Sequence, residues 1–162
     1  MVIRKAGISD IKSIRELAVA TWYPAYEDIL SNEQIGYMLD LFYSPAALTG
    51  QMENGHYFLV LSDKGKDIGF ASFEPHYKNG LTKIHKLYML PQQQGSGGGR
   101  LLIAAIESHA ISNDDRAITL NVNRYNKALN FYLKAEFEII GTENIDIGHG
   151  YLMEDYIMAK NL

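Results

Sequence analysis

The sequence predicts a mixed α/β domain, α+β in that an antiparallel half precedes a parallel half. Three observations carry this. The first third places apolar residues at helical spacing between cap residues. The middle changes to β-prone runs joined by the turn signals Asp63-Lys-Gly65 and Lys78-Asn-Gly80. A strand, a glycine-rich turn, a helix and another strand then follow in order, which implies a parallel pair with a right-handed crossover.

Val2-Ile-Arg-Lys5 reads as a short opening strand. Ser9 or Asp10 is placed to cap a helix whose inner face is Ile11, Ile14, Leu17 and Ala18. Pro24 is expected to break or kink that helix, leaving Trp22, Tyr23 and Tyr26 around a bend. Such aromatics either pack against the core or wall a substrate pocket. Ser31-Asn-Glu-Gln34 has the pattern of a capping box, with Ile35, Met38 and Leu39 following on one face. Ser44-Pro45 repeats a cap followed by proline at the first helical position.

Tyr57–Leu61 and Ile68–Phe73 form a predicted hairpin, and Leu81–Leu90 a third strand. That strand does not alternate cleanly, which fits either burial on both faces or a bulge. The next helix is expected over Arg100–Ala110, a strand over Ile118–Val122, a helix over Ala128–Ala135 and a strand over Phe137–Ile140. Gly141–Gly150 reads as loop, and Tyr151–Met158 as the last strand. No linker or repeat divides the chain, so residues 1–162 are expected to form one domain.

A length of 162 residues, with 47% apolar and 21% charged content, is ordinary for a globular protein with a sizeable core. No apolar run approaches the roughly 18 residues of a membrane span, and the N-terminus has no hydrophobic signal core. A cytoplasmic protein is therefore expected, away from membranes. The absence of cysteine excludes disulfides, thiolate metal sites and a cysteine nucleophile. A net charge of −4 disfavours nucleic acid and suits a cationic substrate.

The chemistry concentrates in Leu87-Tyr-Met-Leu-Pro-Gln-Gln-Gln-Gly-Ser-Gly-Gly-Gly-Arg100. A strand, a glycine turn and a helix N-terminus make an anion cradle, because free first-turn N–H groups and the helix dipole face the same point. A nucleotide P-loop needs Lys-Ser/Thr after its last glycine, where this chain has Arg100-Leu-Leu102. A dinucleotide fingerprint needs Gly-x-Gly-x-x-Gly. Counting from Gly95 puts Arg100 in the third position, and from Gly97 it is Leu102. Both fail.

What fits is Gln94-x-x-Gly97-x-Gly99, with Gly95 after the glutamine, following Leu87-Tyr-Met-Leu-Pro91. Downstream stands Asn126-Lys-Ala-Leu-Asn-Phe-Tyr-Leu-Lys-Ala-Glu-Phe137. Together these resemble the GNAT superfamily of N-acetyltransferases over residues 81–140. Glu136 stands where that family usually has glycine. Trp22-x-x-Ala-Tyr26, Ser31-x-Glu-Gln34 and Asp155-Tyr-Ile-Met-Ala-Lys160 look like the branch containing bacterial polyamine acetyltransferases.

The resemblance implies a central mixed sheet of about six or seven strands with about four or five flanking helices. It implies acetyl-CoA as co-substrate, no metal, a small-molecule amine as acceptor and, as a family habit, a homodimer. Leu87, Tyr88 and Met89 would hold the pantetheine arm, partly through backbone groups. Gln94, Gly95, Ser96, Gly97, Gly98, Gly99 and Arg100 would hold the pyrophosphate, and Asn126 would bond the pantetheine. Tyr132 would protonate the leaving sulfur. Trp22, Tyr23 and Tyr26 are the candidate acceptor wall. His85 is the chosen base, with Glu74, His76, His149 and Tyr151 as other groups nearby in the pattern. A protein or peptide acceptor, and a GNAT-fold regulator that binds acyl-CoA without turnover, are the competing readings.

Overall fold

The computed structural model describes residues 1–162. Seven strands make one sheet in the order β1-β2-β3-β4-β5-β7-β6. They are β1 (Val2–Ala6), β2 (Tyr57–Asp63), β3 (Lys66–Lys78), β4 (Leu81–Met89), β5 (Ala117–Asn123), β6 (Glu138–Gly148) and β7 (Tyr151–Asn161). Five helices flank it: α1 (Ile11–Tyr26), α2 (Asn32–Tyr43), α3 (Pro45–Glu53), α4 (Gly98–Ser112) and α5 (Ala128–Lys134). Only β4 and β5 run parallel; every other neighbouring pair is antiparallel, so the expected parallel half reduces to one pair. No helix is long and apolar enough to cross a membrane.

The alternation of β-residues sends one set of side chains to each sheet face. Phe58, Val60 and Phe70 pack with α1, α2 and α3 around Ile14, Leu17, Ile35 and Leu48. Phe73, Ile84, Ile118 and Leu120 pack on the other face with Leu102 and Ile106 of α4 and Tyr132 of α5. Ser31 and Ser44 open α2 and α3 by accepting the N–H groups of Gln34 (3.1 Å) and Ala47 (3.2 Å), as their spacing predicts.

Two further expectations change. Helix α1 does not break at Pro24 but runs through it to Tyr26. Pro24 lies in the last turn, where the carbonyl it deprives of a partner belongs to exposed Ala20 and reaches water. Gly141–Gly150 is not a loop. Strand β6 continues to Gly148 and pairs with β7 along its length. Its residues are exposed or half-buried throughout, so no hydrophobic alternation marks it; the ladder with β7 holds it instead.

The irregular alternation of β4 is a bulge. Ser72 pairs with Lys86 and Phe73 with Ile84, which leaves His85 as the extra residue. His85 and Lys86 therefore lie consecutively on the α1–α2 face.

Glu136 takes up the missing glycine's task. It adopts φ +70°, while the Phe137 N–H returns to the Tyr132 carbonyl at 3.0 Å and closes the helix end. Its carboxylate meets Lys160 at 3.2 Å.

Candidate active site

The site begins where the sheet opens. Strands β4 and β5 pair only from Leu81–Ile84 against Ala117–Leu120. Beyond Ile84, β4 keeps β3 on one edge and has no strand on the other. Leu87, Tyr88 and Met89 thus present a free backbone edge, onto which an extended ligand can add like a strand. The Leu87 and Met89 side chains turn to the α4 face, while the Tyr88 ring turns to the α1 face.

That edge leads to the N-terminus of α4. Gly97 caps it in the left-handed region, φ +90°, and the Leu101 N–H is the first to close the ladder, on the Gly97 carbonyl at 3.1 Å. The N–H groups of Gly98, Gly99 and Arg100 have no carbonyl one turn back and point out of the helix end. Gly98 is buried; a Cβ there would come within 2.6 Å of Met89 Cε and 2.7 Å of Leu61 Cδ2. The glycine run thus both turns the chain and lets α4 press against β2 and β4.

Gln94 and Ser96 are exposed, and the Ser96 hydroxyl donates to the Gln93 carbonyl at 2.6 Å. Arg100 is exposed, and its guanidinium donates to the Lys134 carbonyl at 2.9 Å, at the C-terminus of α5. The one cation of the loop is already engaged. Anion affinity should therefore rest on backbone N–H groups and the helix dipole. Arg100→Ala is expected to weaken CoA binding less than about tenfold, with only a modest loss between low and high salt. Calorimetric titration at two salt concentrations checks this.

Opposite the free edge stand Asn126 and Tyr132. Asn126 Oδ1 accepts the Ala128 N–H at 2.9 Å and so starts α5, and its amide also lies by the Tyr26 hydroxyl. Tyr132 is buried against Phe131 and Phe137 with ring centroids at 5.3 and 5.9 Å. Burial, then the nearby Tyr26, push its phenol above the ordinary value, so it carries its proton at neutral pH.

On the α1–α2 side of the opening lies a cavity of about 290 Å³. Trp22 and Tyr26 wall it, since the unbroken helix puts residues four apart on one face. Tyr23 does not; it sits round the helix, 36% exposed, near Gly36 of α2. The Tyr26 and Tyr88 hydroxyls are 3.0 Å apart, and the Trp22 indole N–H donates to the Tyr43 hydroxyl at 3.1 Å. Ile145, Ile147, Leu152 and Met153 of the β6–β7 hairpin close the far side.

His85 lines this cavity, with Nε2 at 2.9 Å from Glu74 Oε2. His56 stacks on it, centroids 4.2 Å apart, and reaches the same carboxylate oxygen at 3.5 Å. Burial lowers the His85 pKa to about 4, with Glu74 opposing and His56, Lys83 and Lys86 reinforcing the drop. His85 is therefore neutral at pH 7. His76 points elsewhere, to Asp115 at 3.1 Å, and His149 packs its ring on Tyr37 at 4.6 Å.

Three charged groups in the lining, Lys83, Lys86 and Asp155, escaped the sequence reading. Asp155 is 2% exposed; burial raises its carboxyl pKa, and Asn121 donates to it at 3.4 Å. Lys86 is 8% exposed, and burial lowers its pKa to about 8. Lys86 lies on this face by alternation from Tyr88, and the bulge adds His85 beside it. The Asp155 position was legible only as part of a terminal motif.

A free strand edge leading from an aromatic cavity to a glycine-headed helix is the framework of a CoA-dependent acyltransferase. The family described as "Acetyltransferase (GNAT) domain" matches residues 27–153. The chain belongs to this GNAT acetyltransferase family and is an acyltransferase enzyme. YuaI, an uncharacterized N-acetyltransferase of Bacillus subtilis, is 26% identical over 158 residues, covering 95% of this chain and 90% of YuaI. Rv2669, an uncharacterized N-acetyltransferase of Mycobacterium tuberculosis, is 25% identical over 96% of this chain and 99% of its own. In fold, the chain is similar to the PaiA N-acetyltransferase of Thermoplasma acidophilum, solved in complex with coenzyme A. The TM-score is 0.82 at 24% identity, covering 99% and 98% of the two chains. It is also similar to a GCN5-related N-acetyltransferase from Rhodopseudomonas palustris, with a TM-score of 0.83 at 23% identity, covering 99% and 95%.

Proposed function

We propose that the protein transfers acetyl from acetyl-CoA directly to a small primary amine. The observation that carries this is the continuous path from the N–H groups heading α4, along the free edge of β4, to the cavity beside Tyr26 and Tyr88. The residues fit the co-substrate. The amides of Gly98, Gly99 and Arg100 suit a pyrophosphate. The backbone of Leu87 and Met89 suits the amide-bearing pantetheine arm, with Asn126 across from it. Acetyl-CoA supplies a thioester, whose acyl carbon is the electrophile.

The cavity's size and its hairpin wall favour a small acceptor over a protein segment. A polyamine-like acceptor finds one carboxylate, Asp155, but meets Lys83 and Lys86 in the same lining. Tyr132, protonated through burial, donates to the departing sulfur. Glu74 orients His85: the carboxylate accepts from Nε2–H, which leaves Nδ1 as the proton acceptor. An imidazole with a pKa of about 4 cannot strip a free ammonium of pKa about 10.4. It instead takes the proton that the neutral amine releases as its N–C bond forms.

This fixes a pH dependence. His85 stays neutral down to about pH 4, so kcat/KM should show no break near 6.5. The rising limb should follow the acceptor amine's own pKa, moving when amines of different basicity are compared. His85→Ala should lower kcat/KM on the order of 100-fold. A fixed limb near 6.5 shared by all amines would refute this assignment.

A further inference from the structure

Lys86 has no partner within the protein. It forms no ion pair or hydrogen bond, and its ammonium lies over the Tyr43 ring at 4.8 Å, in the wall of the acceptor cavity. The acids around it are committed elsewhere. Glu74 Oε2 faces both His85 and His56, at 2.9 and 3.5 Å. Asp155 is held by Asn121, and burial is the one influence that shifts Lys86. Leaving a buried cation unpaired is costly, and a hydrophobic residue of the same length would fit this wall more stably. A destabilising charge facing a binding cavity marks a place where a ligand supplies the counter-charge. Alternation from Tyr88 puts Lys86 on this face, and the bulge at His85 brings the proposed base beside it.

We propose that the amine acceptor also carries an acidic group, a carboxylate or a phosphate, which pairs with Lys86 in the cavity. This rests on the acetyltransferase reading of the same site. The cavity then has two poles. Asp155 favours the amine end, whose ammonium gives its extra proton to solvent before the neutral amine attacks, and Lys86 holds the anionic end. Tyr43 and Trp22 keep the ammonium in place, since the Tyr43 hydroxyl is itself fixed by the indole N–H at 3.1 Å. A diamine would set its second cation against Lys86.

The test compares kcat/KM for 4-aminobutyrate, butylamine and 1,4-diaminobutane, and for phosphoethanolamine against ethanolamine. In the wild type, the acid-bearing amine of at least one set should lead its analogue without the acidic group by about tenfold or more, and the diamine should trail. Preference for the carboxylate or the phosphate set tells which anion is used. In Lys86→Met the preference ratio should fall to near one, while the melting temperature should not drop, because an unpaired buried charge has been removed. Lys86→Arg should keep part of the preference. The proposal is overturned if the acid-bearing amine leads in neither set, if the diamine leads, or if Lys86→Met keeps the preference. Failure to acetylate any of the five amines would instead overturn the small-amine acceptor reading, and this proposal with it.

Discussion

Tyr132→Phe lowers kcat on the order of 100-fold or more, while CoA affinity and melting temperature stay close to wild type. The magnitude follows from the loss of a general acid. The selectivity follows from the packing. The ring of Tyr132 sits between Phe131 and Phe137, and a phenylalanine keeps those contacts. The hydroxyl has no hydrogen-bond partner in the protein, so its removal strands no buried donor or acceptor. Burial and the neighbouring Tyr26 keep the phenol protonated, which is the form an acid needs. A thiolate leaving without help is the alternative; under it the variant would turn over within about threefold of wild type. Steady-state kinetics with a saturating amine, together with calorimetric CoA binding, separates the two.

Gly97→Val raises the Kd for CoA at least about 30-fold, for a different reason. Gly97 is the cap of α4 at φ +90°, and a β-branched residue resists that region by about 1–2 kcal/mol or more. A Cβ there would meet nothing within 4 Å, so the fold has room for the side chain and the cost is in backbone conformation. The relaxation that relieves this strain rotates the first-turn N–H groups of Gly98 and Gly99 away from a common point. Each charge-assisted hydrogen bond so weakened is worth about 1.5–3 kcal/mol. The neighbouring Gly98→Val would act through packing instead, because Met89 and Leu61 occupy the space of its Cβ. It should lower the melting temperature as well as affinity. Melting curves and titrations of the two variants side by side check the distinction.

How much of this was legible in the chain depends on range. Cap chemistry is local, so Ser31 and Ser44 announced α2 and α3 correctly. The glycine run and the Asn126–Tyr132 spacing are also local, and both fell on the two sides of the sheet opening. Proline was over-read at Pro24, because its cost depends on whether the orphaned carbonyl reaches water, which sequence does not display. Strand β6 beyond Ile140 was missed because it buries nothing, and its hairpin turns out to be a wall of the cavity. Lys86 was invisible as a site residue. A lysine beside a histidine on a strand reads as one residue in and one out, and only the bulge puts both on one face. The pairing of His85 with Glu74 and His56 likewise joins three strands or strand ends that no spacing rule connects.

The most direct test of the central claim is thiol release coupled to product mass. The chain has no cysteine, so any free thiol formed in an acetyl-CoA reaction belongs to CoA. The account predicts that thiol appears only with a primary amine present, in one-to-one proportion with the N-acetylated amine, and that Tyr132→Phe slows both together. Thiol release without acetylated amine, or tight CoA binding with no release for any amine, would contradict it.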